Sequence, residues 1–129
     1  MITPADMAKS GSEDGEQLAL MQWAALNSKT YPELRWLHHS PNGGSRNKRE
    51  GAKFKAMGVK RGFPDLVLLA PRKKYHGLMI EMKKVEGGVT SNEQVDWIMY
   101  LNSAGYYATV CKGWEQAVAC IEWYLKLER

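Results

Sequence analysis

An aspartate, Asp65, opens the apolar run "PDLVLLA" (64–70), and Glu81 and Lys83 interrupt the next one, "GLMIEMKKV" (77–85). Alternation along a strand sets Met79, Glu81 and Lys83 on one face and Leu78, Ile80 and Met82 on the other. The second face is wholly apolar and must meet a core. Glu81 and Lys83 then point together to the opposite side, about 7 Å apart. Between the two runs lies the basic turn "APRKKYHG" (70–77), so the pair reads as a hairpin. Antiparallel pairing brings Asp65 level with Glu81 and Lys83. Two carboxylates converging there repel each other, and a hard divalent cation held by oxygen ligands removes the repulsion. Beside a phosphodiester such a cation stabilises developing charge and lowers the pKa of an attacking water. A neighbouring lysine can hold or deprotonate that water. The plainer alternative is an aspartate ahead of one strand and a cross-sheet Glu–Lys pair on the next.

Three further features favour the chemical reading. Gln94 shares a helical stripe with Ile98 and Leu101, and a glutamine on an apolar stripe must find a hydrogen-bond partner. Glu16 shares a stripe with Leu20 and Trp23, which aims a carboxylate inward; Glu13, one turn earlier, competes for the same role. Finally, "PNGGSRNKR" (41–49) joins glycine-rich backbone to arginine, a combination suited to phosphate contact.

The elements that must position these groups read as α–β–(α)–β–β–α–β–α. Residues 1–11 read as a loose terminus and 12–129 as a single domain. Ser12 caps a helix over 13–29, with Asp14 and Glu16 in its first turn. A short strand over 34–39, a loop over 40–51 and a short helix near 50–57 ending at Gly58 follow. Beyond the hairpin come a helix over 90–105, capped by Thr90 or Ser91 and closed by Gly105, a strand over 106–112 and an amphipathic helix over 114–129.

Composition sets the outer bounds. With 129 residues, 44% hydrophobic and 25% charged, the chain suits one soluble core and excludes a disordered polymer. No apolar run approaches the roughly 20 residues needed to span a bilayer. The polar, acidic start does not suit a secretory signal, and two cysteines without metal-type spacing suit a reducing compartment, so a cytoplasmic site is expected. The net charge of +4 is unevenly spread: residues 46–84 hold twelve Lys or Arg against three acids, and the rest hold six against eleven. A basic centre of this kind suits a polyanion.

These residues resemble the PD-(D/E)XK nuclease superfamily, through "PD" at 64–65 and "EMK" at 81–83. More narrowly, the ordered set "SEDGEQ", "PNGG", "GFPDLVLL", "YHGLMIEMKK", "SNEQVDWIMYLNSAGY" and "CKGWEQAV" resembles a stand-alone VRR-NUC domain of the phage and bacterial type. The resemblance implies a restriction-endonuclease-like α/β core, a mixed β-sheet flanked by helices. It implies Asp65, Glu81, the backbone carbonyl of Met82 and Glu16 as ligands of Mg²⁺ or Mn²⁺, with Lys83 as the catalytic lysine and Gln94 as a supporting residue. Two departures are mild: Phe63 stands where Val is usual before Pro64, and Met82 where Leu is usual between Glu81 and Lys83.

The implied substrate is structured DNA, met by Asn42, Gly43, Gly44, Arg46, Lys48, Arg49, Lys53, Lys60, Arg61 and Lys84. A chain this short has little surface with which to read sequence, so shape and backbone recognition is expected. Small stand-alone members look like Holliday-junction resolvases, which implies a homodimer, because a four-way junction needs two symmetric cuts. Trp97, Tyr100, Trp114, Trp123 and Tyr124 are the aromatic candidates for that interface. His38 and His39 read as strand-end residues near phosphate. Two other readings stay open: a flap or splayed-arm nuclease, and a non-catalytic basic DNA-binding module in a phage or mobile-element protein.

Overall fold

One strand is buried along its whole length, and the other elements gather round it. This is β3, Leu78–Lys83. The computed structural model describes residues 1–41 and 48–129. Its helices are α1 (Pro4–Met7), α2 (Glu13–Leu26), α3 (Lys48–Ala56), α4 (Asn92–Ser103) and α5 (Trp114–Leu125), with a 3₁₀ turn at Pro32–Trp36. Its strands are β1 (His38–His39), β2 (Leu66–Leu68), β3 and β4 (Tyr107–Lys112). They form one sheet in the order β1-β2-β3-β4. The β1–β2 and β2–β3 pairs are antiparallel and the β3–β4 pair is parallel. The result is the mixed sheet flanked by helices that the sequence pattern implies.

The two faces of β3 behave as its alternation requires. Leu78, Ile80 and Met82 join Leu20, Leu66, Leu68, Ile121 and Tyr124 in the main core, under α2 and α5. Met79 joins Leu101 and Ala108 in a smaller cluster, with Trp97 and Ile98 of α4 packed against it. Each aliphatic side chain so buried contributes about 1.5–3 kcal/mol relative to exposure. Glu81 and Lys83 therefore stand on the α4 face of a strand that has lost contact with water on both sides.

Register does the rest. Leu66 faces Ile80 and Leu68 faces Leu78, so the next step outward sets Asp65 beside Glu81. At the same level β4 runs alongside, with Val110 facing Glu81 and Lys112 facing Lys83.

The helix starts follow local chemistry. Ser12 accepts from the Gly15 amide at 3.0 Å and so starts α2. Ser91 starts α4 through a reciprocal box: its hydroxyl accepts from the Gln94 amide at 3.2 Å, and the Gln94 carbonyl oxygen accepts from the Ser91 amide at 2.8 Å. Gly105, at φ 94°, lies just beyond the end of α4.

Several expectations are corrected. Residues 34–39 do not form a strand; Pro32 starts a 3₁₀ turn that buries Leu34, and pairing begins only at His38. The three-residue spacing of Leu34 and Leu37, both buried, explains the turn. Residues 4–7 are helical, started by a capping box between Thr3 and Asp6, and α1 packs on α2. The helix α2 stops at Leu26 and α5 at Leu125, each short of its expected end. Tyr124 is not an interface aromatic: it is fully buried, and its hydroxyl donates to the Ala70 carbonyl at 2.7 Å.

Gly62 shows how tightly the loop before Asp65 is seated. It holds φ at 85°, and a Cβ there would lie 2.6 Å from the backbone carbon of Glu93. Only glycine permits both the left-handed backbone and the close approach to the first turn of α4. Gly62→Ala is expected to destabilise the fold by roughly 2 kcal/mol or more, from the left-handed strain and the displaced helix start. A thermal melt of the variant, showing a drop of several degrees, is the check; an unchanged melting temperature would mean the loop can move away freely.

Candidate active site

The Asp65 carboxylate is fixed by β3 itself. Its Oδ2 accepts from the Met82 amide at 2.8 Å. Its own backbone carbonyl accepts from the Ser40 amide at 2.7 Å and contacts His39 Nδ1 at 3.0 Å. A carbonyl only accepts, so His39 Nδ1 is the donor in this contact.

Glu81 is 2% exposed and Lys83 5%. Glu81 Oε2 accepts from Gln94 Nε2 at 2.9 Å and lies 3.5 Å from Lys83 Nζ. The Gln94 amide is used at both ends. Its oxygen is committed to the Ser91 amide, so its NH₂ must turn toward Glu81. The helix start and the site are thus locked by one side chain. Glu81 Oε1 is buried and has no partner among the described residues. Burial, reinforced by the adjacent Asp65 carboxylate and only partly offset by Lys83, pushes the Glu81 carboxyl up to about 8.

This arrangement fits a cation. An orphaned buried oxygen, a second carboxylate beside it and mutual repulsion are what a divalent ion relieves. Among the described residues no group of three or more His, Cys, Asp and Glu side chains is gathered closely enough to hold a metal by side chains alone. Two carboxylates with backbone and water oxygens suit Mg²⁺, which keeps several waters.

The first-helix candidates separate. Glu16 is buried, and its Oε1 accepts from the Trp114 amide at 2.8 Å, so it caps the start of α5. Glu13 instead lines a cavity of about 300 Å³ together with Asp14, Gln17, His39, Pro41, Asp65 and Met82. Both side-chain polar atoms of Gln17 are buried there without a partner among the described residues. Gln17 is the residue that sequence reasoning missed, and His39, expected near phosphate, lines the same cavity. The signal for Gln17 was present: it stands four residues after Glu13, on one helical face.

Of the expected DNA contacts, Asn42, Gly43, Gly44 and Arg46 lie outside the described residues. Lys48, Arg49 and Lys53 are exposed on α3, a helix that buries no residue. Lys60 and Arg61 are exposed in the loop before Asp65, and Lys84 is half-buried at the end of β3.

Fold and site together describe a carboxylate–lysine centre at the mouth of a mixed sheet. The sequence matches the VRR-NUC domain family over residues 5–115. A solved structure titled "VRR_NUC domain protein" is 38% identical and superposes with a TM-score of 0.78, covering 91% of this chain and 90% of that one. Among curated proteins nothing matches. The chain belongs to the VRR-NUC family, a family of nucleases. No helix among the described residues is long and apolar enough to cross a membrane.

Proposed function

We propose that this chain is a divalent-metal-dependent, structure-selective DNA endonuclease that prefers four-way junctions and works as a homodimer. The observation that carries the catalytic reading is the buried Glu81–Lys83 pair, held by half-buried Gln94, with Asp65 alongside. Burying Glu81 and Lys83 beside a second, half-buried carboxylate costs stability, and a module that only binds DNA has no use for them.

Asp65 and Glu81 would hold Mg²⁺ or Mn²⁺, with the Met82 carbonyl as a further ligand and Glu13 or Glu16 reached through water. Such an ion would neutralise the phosphodiester and acidify a water. The chain's own residues do the rest. Gln94 keeps Glu81 oriented, and the Met82 amide keeps Asp65 oriented. Lys83 Nζ, next to Glu81, holds the attacking water as an ammonium donor, and takes its proton only after giving up one of its own. The exposed lysines and arginines of α3 and of the loop at 60–61 take up the DNA backbone, which fixes position without reading sequence. The small size of the domain supports shape recognition, and a symmetric dimer supplies the two cuts a junction needs.

Labelled four-way junction, 5′ flap, 3′ flap, splayed arm and linear duplex, each with Mg²⁺, Mn²⁺ or EDTA, test this directly. Paired symmetric nicks in the junction, absent in EDTA, are expected. Cutting of flaps or splayed arms with junctions untouched would replace the substrate assignment. Binding without cleavage of any substrate would overturn the catalytic one.

The placement of Glu13 and Glu16 yields a second expectation. Glu16→Ala leaves the Trp114 amide without its acceptor and is expected to cost about 1–2 kcal/mol of stability, with Mn²⁺ affinity little changed. Glu13→Ala is expected to leave stability nearly intact and weaken Mn²⁺ binding severalfold. Thermal melts and calorimetric titration of the two variants check this; the reverse pattern would return the metal role to Glu16.

A further inference from the structure

The aromatic side chains of α4 line a second, shallow and open cleft, one helical turn from Gln94. Glu93, Asp96, Trp97 and Tyr100 follow the i, i+3, i+4, i+7 spacing of one helix face. With Arg61 they line a cavity of about 500 Å³. Gln94, Ile98 and Leu101 occupy the inward face, so this face is left for something else.

The cavity is built rather than accidental. Trp97 Nε1 donates to the Arg61 carbonyl at 3.1 Å, which pins the indole. Phe63 meets the same indole edge-on, with ring centroids 5.0 Å apart. Tyr100 stands nearly perpendicular to it, at 6.3 Å and 83°. Two aromatic walls at a right angle therefore face the opening, and Tyr100 is 62% exposed. The walls sit close to the chemistry along both chain directions. Phe63 is two residues before Asp65, and Trp97 is three after Gln94, a rise of about 4.5 Å along the helix.

We propose that this cavity takes an unpaired nucleobase of the DNA substrate, stacked on the exposed Tyr100 ring with its edge toward Trp97. The inference rests on the DNA-nuclease reading of the neighbouring site. The charge pattern selects a base over a phosphate. Glu93 and Asp96 repel the backbone, yet their oxygens accept hydrogen bonds from base amino and imino groups. Arg61 in the lining, with exposed Lys60 next to it in the chain, takes the flanking phosphates. The same acidic pair argues against a second copy of the chain, because a two-fold contact here would bring four carboxylates together. Unpaired bases exist at branch points and not within intact duplex, so such a pocket would help the enzyme choose structure without reading sequence.

Binding is measured in EDTA, by anisotropy, with three fluorescein-labelled probes: a fork with oligothymidine arms, the same fork with abasic arms, and the duplex stem alone. The abasic arms keep the phosphates and lose the bases. Wild-type protein is expected to bind the thymidine fork about tenfold more tightly than the abasic fork, in line with the energy of one stacked base. Tyr100→Ala is expected to erase that ratio while leaving stem binding unchanged. Because Tyr100 is exposed, its loss should not disturb folding; Asp96→Ala gives an independent variant with the aromatic walls intact, expected to lower the fork affinity severalfold. Equal binding of the two forks by wild type overturns the pocket, as does an unchanged ratio in Tyr100→Ala. A dimer that becomes monomeric on Tyr100→Ala, seen by light scattering, assigns the face to self-association and overturns it too. If wild type cuts DNA yet shows no base preference, only the pocket fails; if it neither binds nor cuts any DNA, the nuclease reading fails with it.

Discussion

Lys83→Ala is expected to lower cleavage by about 10²–10⁴-fold, the range for loss of a positioned proton-transfer group, while DNA affinity stays near wild type. The two effects separate because the residues are separate. Lys83 is 5% exposed and engaged with Glu81 at 3.5 Å, so it offers nothing to the bulk of a DNA backbone. On the proposed reading, affinity rests instead on Lys48, Arg49, Lys53, Lys60 and Arg61, all exposed. Removing the ammonium also removes the nearest positive charge from Glu81, whose proton is then held more firmly. The variant should therefore stay folded, with Glu81 protonated instead of left as an unpaired buried charge. Single-turnover cleavage and equilibrium binding of the same junction check both halves. Parallel loss of binding and cleavage would show that Lys83 contacts DNA or supports the fold, and the catalytic assignment would fall.

Glu81→Gln is expected to abolish cleavage and, without metal, to make the protein more stable at pH 8 than wild type. The sign follows from linkage. The Glu81 carboxyl titrates near 4.5 when exposed and is pushed up to about 8 in the folded chain. Between those values the folded state holds a proton that the unfolded state has released. Stability from this group is therefore full below about pH 4.5 and declines as pH rises, levelling off above about pH 8. The total is on the order of a few kcal/mol, since each tenfold change in proton affinity is about 1.4 kcal/mol. Glutamine keeps the acceptor for Gln94 and has no proton to lose, so its melting temperature should stay flatter over the same span. Divalent metal should act oppositely on wild type: binding needs the deprotonated carboxylate, so stabilisation by Mn²⁺ should grow with pH. Thermal melts of both proteins from about pH 5 to pH 8.5, with Mn²⁺ or EDTA, test all three statements. Parallel curves for the two proteins would show that Glu81 is ionised throughout and that its burial carries no electrostatic cost.

On the proposed catalytic role, stability and catalysis pull against each other at Glu81. The core of β3 could be built from Leu, Ile and Met alone, and Glu81 and Lys83 interrupt it. Such exceptions to an otherwise consistent pattern are where function is found.

That is also why so much of the site is legible in the sequence. Period-two alternation does not depend on tertiary context, so it correctly places Met79, Glu81 and Lys83 on one face and the core on the other. Alternation with an apolar face excludes one-residue slips between β2 and β3, and the register that forms sets Asp65 beside Glu81. Capping chemistry is local, and Ser12, Ser91 and Gly105 mark helix ends as their residue types require. The segment 32–39 misleads because Leu34 and Leu37 suit a loose strand as well as a 3₁₀ turn, and Pro32 decides between them.

What only tertiary structure decided are relations across long stretches of chain. A helical wheel says that Glu16 points inward but not what waits there. The partner is the first amide of α5, 98 residues away, because β4 enters the sheet parallel to β3 and delivers α5 onto α2. The same docking turns Glu13 and Gln17 toward Asp65. Tyr124 passes for a surface aromatic until the helix seats it against Ala70. The pKa of Glu81 belongs to this class too, since burial under α4 and the approach of Asp65 set it, and neither is a property of local sequence. Local patterns determine which way a side chain faces; the packing of distant elements determines what it meets, because those contacts form only when the whole core closes.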